Sequence, residues 1–173
     1  PVLFGFFAVV CCPLCDASGV AGGQQRDTAL EAGMISSTGF NTWMPIATAA
    51  NVAQGAAALA FSLKPKDMKK REMALPASLS AFLGITEPAI FGVNLRFMKP
   101  FIAGCIGGAA GALVAGILKV SATAYGITGL FGILITTHNL PAYLLVMAVA
   151  FAVSFGLTFV MYKEQPADEP ADA

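Results

Sequence analysis

A carboxylate stands inside an apolar stretch of this sequence. Residues 83–94 read LGITEPAIFGVN, so Glu87 is flanked by Gly84, Thr86 and Pro88 within a run that is otherwise apolar enough for a membrane. A carboxylate at the centre of a bilayer costs about 2.5–3.5 kcal/mol on insertion scales. A functional role for Glu87 is therefore the default interpretation.

The neighbours of Glu87 are suited to ligand binding. Gly84 allows the backbone to break, and Pro88 suits the first turn of a new helix, whose N-terminus would stabilise the negative charge of Glu87. Thr86 and Asn94 add neutral donors and acceptors. A carboxylate in such company can accept several hydroxyl hydrogen bonds from a neutral polyhydroxy ligand, and a cation would satisfy it equally well. Chemistry alone leaves an ion and a sugar open.

A structural alternative also exists for Glu87, which is an ion pair with Arg96 or Lys99 a short distance further along the chain. Such a pair would lower the cost of burying the carboxylate without any ligand. Removing one partner would then damage folding, whereas a binding role predicts loss of affinity in a folded protein.

The other reactive side chains give weaker signals. Cys12 and Cys15 form a C-x-x-C, but neither a βαβ context nor a second ligand pair accompanies them, so we interpret these thiols, Cys11 and Cys105 as incidental. The single histidine, His138, is interpreted as non-catalytic. We predict no catalytic residue in the chain, no metal site and no cofactor.

Composition places the chain in a lipid environment. It is 57% hydrophobic and only 12% charged, about half the charged fraction of a soluble domain, which is about 25%. The formal net charge is zero, which argues against nucleic acid as a partner. The predicted fold class is an all-α integral membrane protein.

Three stretches are long enough to span a bilayer, for which about 20 apolar residues suffice. They are Thr42–Leu63, Pro100–Leu118 and Pro141–Tyr162. Small residues fill the first two, including Gly104 and Gly108 in G-x-x-x-G spacing, which favours close helix packing. We therefore predict about three full transmembrane helices, with residues 120–140 as an outer-side or partly embedded segment.

The segment that carries Glu87 has the features of a re-entrant hairpin. Met73–Leu95 is interrupted by two glycines and a proline, and Arg96 and Lys99 follow it at once. The basic loop 64–72 precedes it and is placed in the cytoplasm by the positive-inside rule. A simple span would carry Arg96 and Lys99 to the other side, whereas a hairpin returns them beside the basic loop. Such backbone is tolerated where it is buried in protein or lines a cavity.

The run GITEPAIFGVN at 84–94 resembles the signature loop of the membrane C domain of sugar phosphotransferase-system enzyme II, in the glucose/sucrose/β-glucoside superfamily. The likeness extends over roughly residues 29–162. It includes ALEAG at 29–33, NVAQGAA at 51–57 and NLRFMKPFIA at 94–103. The last two runs look most like sucrose-specific members, the enzyme IIBC type.

The resemblance implies a function and a set of partners. It implies uptake of a sugar, sucrose above all, across the bacterial inner membrane, coupled to phosphorylation by the phosphoenolpyruvate-dependent system. Glu87 would bind sugar hydroxyls, with Thr86, Asn94 and Gly84 completing the substrate-binding loop. The chain would act as part of a protein-phosphocysteine–sugar phosphotransferase, receiving phosphate from a B domain that an A domain precedes in the relay. A homodimer formed through upstream helices and contact with the lipid bilayer are also implied.

The expected domain organisation has three parts. Residues 1–28 are an uncertain N-terminal segment, of which 1–20 look unlike the family and 22–28, GGQQRDT, lack the family's histidine. Residues 29–162 are the C-terminal part of the permease domain, and 163–173 are a disordered cytoplasmic tail. Because residue 1 is proline, we expect a fragment or a processed product, and the resemblance implies a piece of a larger transporter fold. With about three full spans, we expect the chain to be inactive alone.

Two rival functions remain open from the sequence. One is a cation-coupled secondary transporter that uses Glu87 as its ion or proton site. The other is an inactive membrane fragment. Accumulation of phosphorylated sugar that depends on phosphoenolpyruvate, and not on an ion gradient, would separate the first rival from the phosphotransferase interpretation.

Overall fold

The computed structural model describes residues 23–64, 68–122, 129–134, 136 and 139–162, with side chains from residue 31 onward. In chain order the elements are α1 (Gly23–Thr38), α2 (Trp43–Ser62), α3 (Met68–Phe82), α4 (Glu87–Ala89), a π-helix (Ile90–Asn94), α5 (Leu95–Phe97), α6 (Lys99–Ile117), a 3₁₀ helix (Gly129–Leu134) and α7 (Leu140–Met161). The expectations for Cys11, Cys12, Cys15, His138, residues 1–22 and the tail 163–173 lie outside the described residues.

The three predicted spans are confirmed as helices whose ends lie within one residue of the predicted bounds. α2, α6 and α7 are each long and apolar enough to cross a membrane. Every regular element in the described ranges is helical, apart from one isolated β-bridge between Asn41 and Ala122. The predicted fold class, an all-α integral membrane protein, is therefore confirmed. Helices suit a membrane because they satisfy their backbone hydrogen bonds internally, where no water can do so.

Contacts at the two ends of the bundle fix the direction of its helices. The β-bridge joins the start of α2 to the chain just beyond α6, and we call this the bridge end. At the opposite end, the rings of Phe61 and Tyr162 lie 4.7 Å apart and Lys64 Nζ donates to the Tyr162 carbonyl at 2.7 Å. We call this the basic end. α2 and α7 therefore run toward the basic end, and α6 runs away from it.

Small residues allow α2, α6 and α7 to pack closely. A Cβ atom at Gly107 would lie 2.5 Å from the Ser154 Cβ, and one at Gly104 would lie 2.8 Å from the Gln54 side chain. Ser154 Oγ donates to the Ala53 carbonyl at 2.6 Å, which joins α7 to α2. Close packing at Gly104, which the G-x-x-x-G spacing predicted, is confirmed.

The predicted re-entrant hairpin is also confirmed, formed by α3 and a second arm over residues 87–97. Neither arm reaches the length of about 20 residues that a full span needs. At the end of the second arm Phe97 stacks on Phe61, with 4.4 Å between ring centroids, and Lys70 from the start of α3 lies 5.8 Å from the Phe97 ring. Both arms thus meet at the basic end, and the segment enters and returns on one side.

The first arm begins earlier than the sequence suggested. We predicted that the embedded segment starts at Met73 after a basic loop over 64–72, but α3 starts at Met68 and carries the basic run in its first turns. Met, Lys, Arg and Glu are good helix formers, so α3 can begin within the charged run. The charged residues indicate where the embedded part of α3 begins, and they do not indicate where the helix begins. Of the predicted loop, the structure describes only Lys64 outside a helix.

Candidate binding site at the hairpin tip

The tip of the hairpin is a tight helix-ending turn centred on Gly84. The Ile85 N–H donates to the Ser80 carbonyl at 3.0 Å and the Gly84 N–H to the Ala81 carbonyl at 3.0 Å. This pair of bonds is a Schellman motif, which requires a left-handed residue at the position that Gly84 occupies with φ +99. The predicted role of Gly84, to let the backbone break, is confirmed.

Glu87 is the first residue of the second arm. α4 begins there with a proline in its first turn, as predicted for Pro88. Thr86 precedes it at the N-cap position and is 8% exposed, while the Glu87 side chain is exposed. Among the described residues no ion pair joins Glu87 to Arg96 or Lys99, which the structural alternative required. The tip therefore presents a carboxylate at the start of α4 that pairs with neither of these two cations.

Asn94 lies apart from this exposed carboxylate. It is fully buried, and its amide nitrogen donates to the Gln54 carbonyl at 3.0 Å and to Gln54 Oε1 at 2.7 Å. Gln54 Nε2 in turn lies 3.8 Å from Cys105 Sγ. Asn94 thus ties the second arm to α2 and α6, and its Oδ1 has no partner among the described groups.

The structure therefore brings three of the four predicted site residues together. Gly84, Thr86 and Glu87 share the tip, and Asn94 is held in the packed interface behind it. The ligand contacts assigned to all four remain predictions.

A π-helix over Ile90–Asn94 separates the tip from the buried amide. Its wider turn places Val93 in an apolar cluster with Phe61 and Ala81, between the two arms and α2. Single π-turns inside α-helices occur frequently at functional sites. Sequence analysis missed it, because no residue pattern distinguishes this turn from an ordinary one.

A second segment reaches the tip from the bridge end. The 3₁₀ helix begins at Gly129, where a Cβ atom would lie 2.5 Å from the Phe82 carbonyl oxygen and 3.0 Å from the Gly84 nitrogen. That residues 120–140 are an outer-side or partly embedded segment stays a prediction. Sequence analysis did not associate Gly129, or the residues that hold it, with the site.

An apolar cavity of ≈ 330 Å³ lies beside the tip. Its lining is Val52, Phe82, Leu130, Met147, Ala148 and Phe151. Apart from the weakly accepting sulfur of Met147, none of these side chains offers a hydrogen-bonding group, so the cavity does not suit a polyhydroxy ligand. The polar candidates for such a ligand lie on the tip itself.

These features define a class of protein: an integral membrane domain of antiparallel helices with a re-entrant hairpin that presents a carboxylate. Comparison then identifies the family. The model described as "Phosphotransferase system, EIIC" matches residues 3–108, more than half of the chain. The chain belongs to the EIIC family of the phosphotransferase system, which confirms the resemblance drawn from the GITEP loop.

Curated relatives support the same assignment. The chain is 52% identical over 137 residues to the sucrose-specific EIIBC component of Bacillus subtilis (strain 168), covering 77% of this chain and 30% of the relative. It is 47% identical over 136 residues to that of Salmonella typhimurium, with the same coverage. The trehalose-specific EIIBC component of Escherichia coli (strain K12) is 33% identical over 147 residues, covering 84% and 31%.

The chain thus spans about 30% of the length of the relatives it matches. The family match starts at residue 3, earlier than the likeness from residue 29 that sequence analysis described. No solved structure gives a significant match.

Proposed function

We propose that the intact protein takes up a sugar, with sucrose as the expected substrate, and phosphorylates it during uptake through the phosphotransferase system. Membership of the EIIC family supports this proposal, as do the relatives named as sucrose-specific components at 52% and 47% identity. The same names favour a sugar over the cation-coupled alternative for Glu87.

The exposed carboxylate at the hairpin tip is the observation that carries the proposal. Glu87 lies at the start of the second arm of the hairpin. It directly follows Thr86, which carries a hydroxyl, and the partly exposed turn at Gly84 precedes both. An ionised carboxylate has about four acceptor sites, which suits adjacent sugar hydroxyls. In this proposal the chain binds the sugar, and no residue of it carries phosphate.

The phosphate would come from a separate domain. The relatives are EIIBC components, and one from Pediococcus pentosaceus is an EIIBCA component. We propose that a phosphocysteine of a B domain phosphorylates the sugar held at the tip, with an A domain earlier in the relay. The segment described here would be inactive without that domain.

Replacing Glu87 with glutamine tests the binding role. The amide keeps the size of the side chain but loses its charge and an acceptor, and a charge-assisted hydrogen bond is worth about 1.5–3 kcal/mol. We expect sucrose binding to the intact protein to weaken roughly ten- to hundredfold, since 1.4 kcal/mol is a factor of ten. Equilibrium binding to purified protein measures this.

The matched control is Glu72→Gln, which removes an exposed carboxylate from the other arm of the hairpin. It should leave the affinity unchanged. Unchanged affinity in Glu87→Gln as well would contradict the binding role. Lost expression that is rescued by also replacing Arg96 or Lys99 would instead support a structural ion pair.

We further propose an orientation in the bacterial inner membrane. The basic end, with loop 64–72 and the tail 163–173, would face the cytoplasm by the positive-inside rule. Lipid would contact the outer face of α7, and a homodimer would form through helices outside this chain. In a background without native cysteines, Arg96→Cys should react with a membrane-impermeant reagent only from the cytoplasmic side. Reaction from outside alone would contradict this orientation.

A further inference from the structure

Two backbone segments approach each other from opposite ends of the bundle. Gly129 (φ +82) and Gly84 (φ +99) both have left-handed backbone, and a Cβ atom at Gly129 would lie 3.0 Å from the Gly84 nitrogen and 2.5 Å from the Phe82 carbonyl oxygen. Only glycine fits at position 129, because a side chain would collide with backbone that cannot move aside. The 3₁₀ helix therefore lies directly against the turn that precedes Glu87.

A buried tyrosine fixes Gly129 in this position. Tyr143 Oη lies 3.0 Å from the Gly129 carbonyl oxygen and 3.1 Å from Thr48 Oγ1. The carbonyl can only accept, so the tyrosine proton is donated to Gly129 and the threonine hydroxyl donates to Tyr143. A Cβ atom at Gly132 would lie 2.1 Å from Tyr143 Oη, so this second glycine leaves room for the hydroxyl.

We propose that Thr48, Tyr143 and Gly129 form a brace that positions the hairpin tip for ligand binding. The inference rests on the proposed function, because it makes these three positioning residues for Glu87. Thr48 and Tyr143 lie on α2 and α7, which belong to the packed bundle, and Gly129 carries their constraint to Gly84. Glu87 follows Gly84 by three residues, so a shift of the turn displaces the carboxylate.

The first measurement that tests the brace is sugar affinity. Tyr143→Phe removes both hydrogen bonds of the brace, the one to the Gly129 carbonyl and the one from Thr48, and we expect sucrose binding to the intact protein to weaken about two- to tenfold. Gly129→Ala should have the larger effect, and Thr48→Val the smaller, because the Tyr143–Gly129 bond survives in it.

The control for Gly129→Ala is Gly156→Ala on α7, where an added Cβ atom meets nothing within 4 Å. It should leave affinity unchanged. If Tyr143→Phe and Thr48→Val both bind sucrose as the parent does, the brace does not position the tip.

The second measurement needs no sugar. Ile85 is 57% exposed at the tip, so Ile85→Cys in a background without native cysteines reports the accessibility of the turn. We expect Tyr143→Phe and Gly129→Ala to change its rate of thiol modification several-fold, and Gly156→Ala to leave the rate unchanged. Equal rates in all variants would overturn the brace.

The two measurements distinguish the proposed sugar binding from the proposed brace. If the parent protein fails to bind sucrose while the Ile85→Cys rates still respond to Tyr143→Phe, the proposed function fails and the brace stands. Where Tyr143→Phe does not fold, Thr48→Val supplies a comparison with smaller expected changes in both measurements, because it keeps the bond from Tyr143 to Gly129.

Discussion

Glycine and polar side chains serve opposite purposes in the helix bundle and at the hairpin tip. In the bundle, Gly107 and Gly111 lie in regular helix, and their missing side chains let α6 contact Ser154, Ala49 and Ala150. At the tip, Gly84 and Gly129 have left-handed backbone that a side chain would strain. The same residue type closes an interface in one region and turns the chain in the other.

The polar groups follow the same division. In the bundle Ser154 donates to a backbone carbonyl of α2, so its burial is compensated. At the tip the Glu87 carboxylate is exposed and makes no ion pair with Arg96 or Lys99. Substitutions in the bundle away from Thr48 and Tyr143 should therefore act on stability, and those at the tip on ligand affinity.

The largest effect on stability should come from Gly107→Ala. The added Cβ would lie 2.5 Å from the Ser154 Cβ and 2.8 Å from its backbone nitrogen, so two helix backbones must separate. Overpacking of this kind costs about 1–3 kcal/mol. We expect a lower unfolding temperature for the purified protein, with sucrose affinity preserved in the fraction that is folded.

Gly156→Ala provides the matched control. It adds the same methyl group to α7 in open space, where the higher helix propensity of alanine is worth up to about 1 kcal/mol. The difference between the two variants isolates the packing cost. Equal stability would mean that the bundle is not closed by its glycines.

The scaffold could be predicted from the sequence because its signals are local. Apolar windows of about 20 residues marked α2, α6 and α7. The glycine and proline breaks, with Arg96 and Lys99 after them, predicted the re-entrant hairpin and its turn at Gly84. Glu87 was found because a carboxylate in an apolar segment is costly.

The missing features depend on contacts between distant residues. Tyr143 and Thr48 are far apart in the chain, so no local pattern could join them to Gly129. Asn94 is the last residue of the π-turn, and its buried contacts are with Gln54, 40 residues earlier in the chain. α1 was not predicted, because its sequence lacks an apolar stripe at helical spacing. Small residues occupy positions where such a stripe would need large apolar ones.

A smaller effect is expected where the two regions are joined, at Asn94 and Gln54. The Asn94 amide donates to both the side chain and the backbone of Gln54, at 2.7 and 3.0 Å. Asn94→Leu removes both bonds, whereas Gln54→Leu removes only the first. Hydrogen bonds between membrane helices are worth about 0.6 kcal/mol on average and about 1.7 at most.

A double-mutant cycle with these two leucine variants should therefore give a coupling energy of about 0.6–1.7 kcal/mol in the unfolding of the intact protein. Thr158→Val is the control, because Thr158 Oγ1 is buried without a hydrogen-bond partner among the described residues, and its loss should not lower stability. A coupling near zero would mean that the hydrogen bond between the Asn94 and Gln54 side chains does not help to hold the second arm of the hairpin. A clear coupling would mean that the attachment of the hairpin to the bundle depends on this polar side-chain pair as well as on apolar packing.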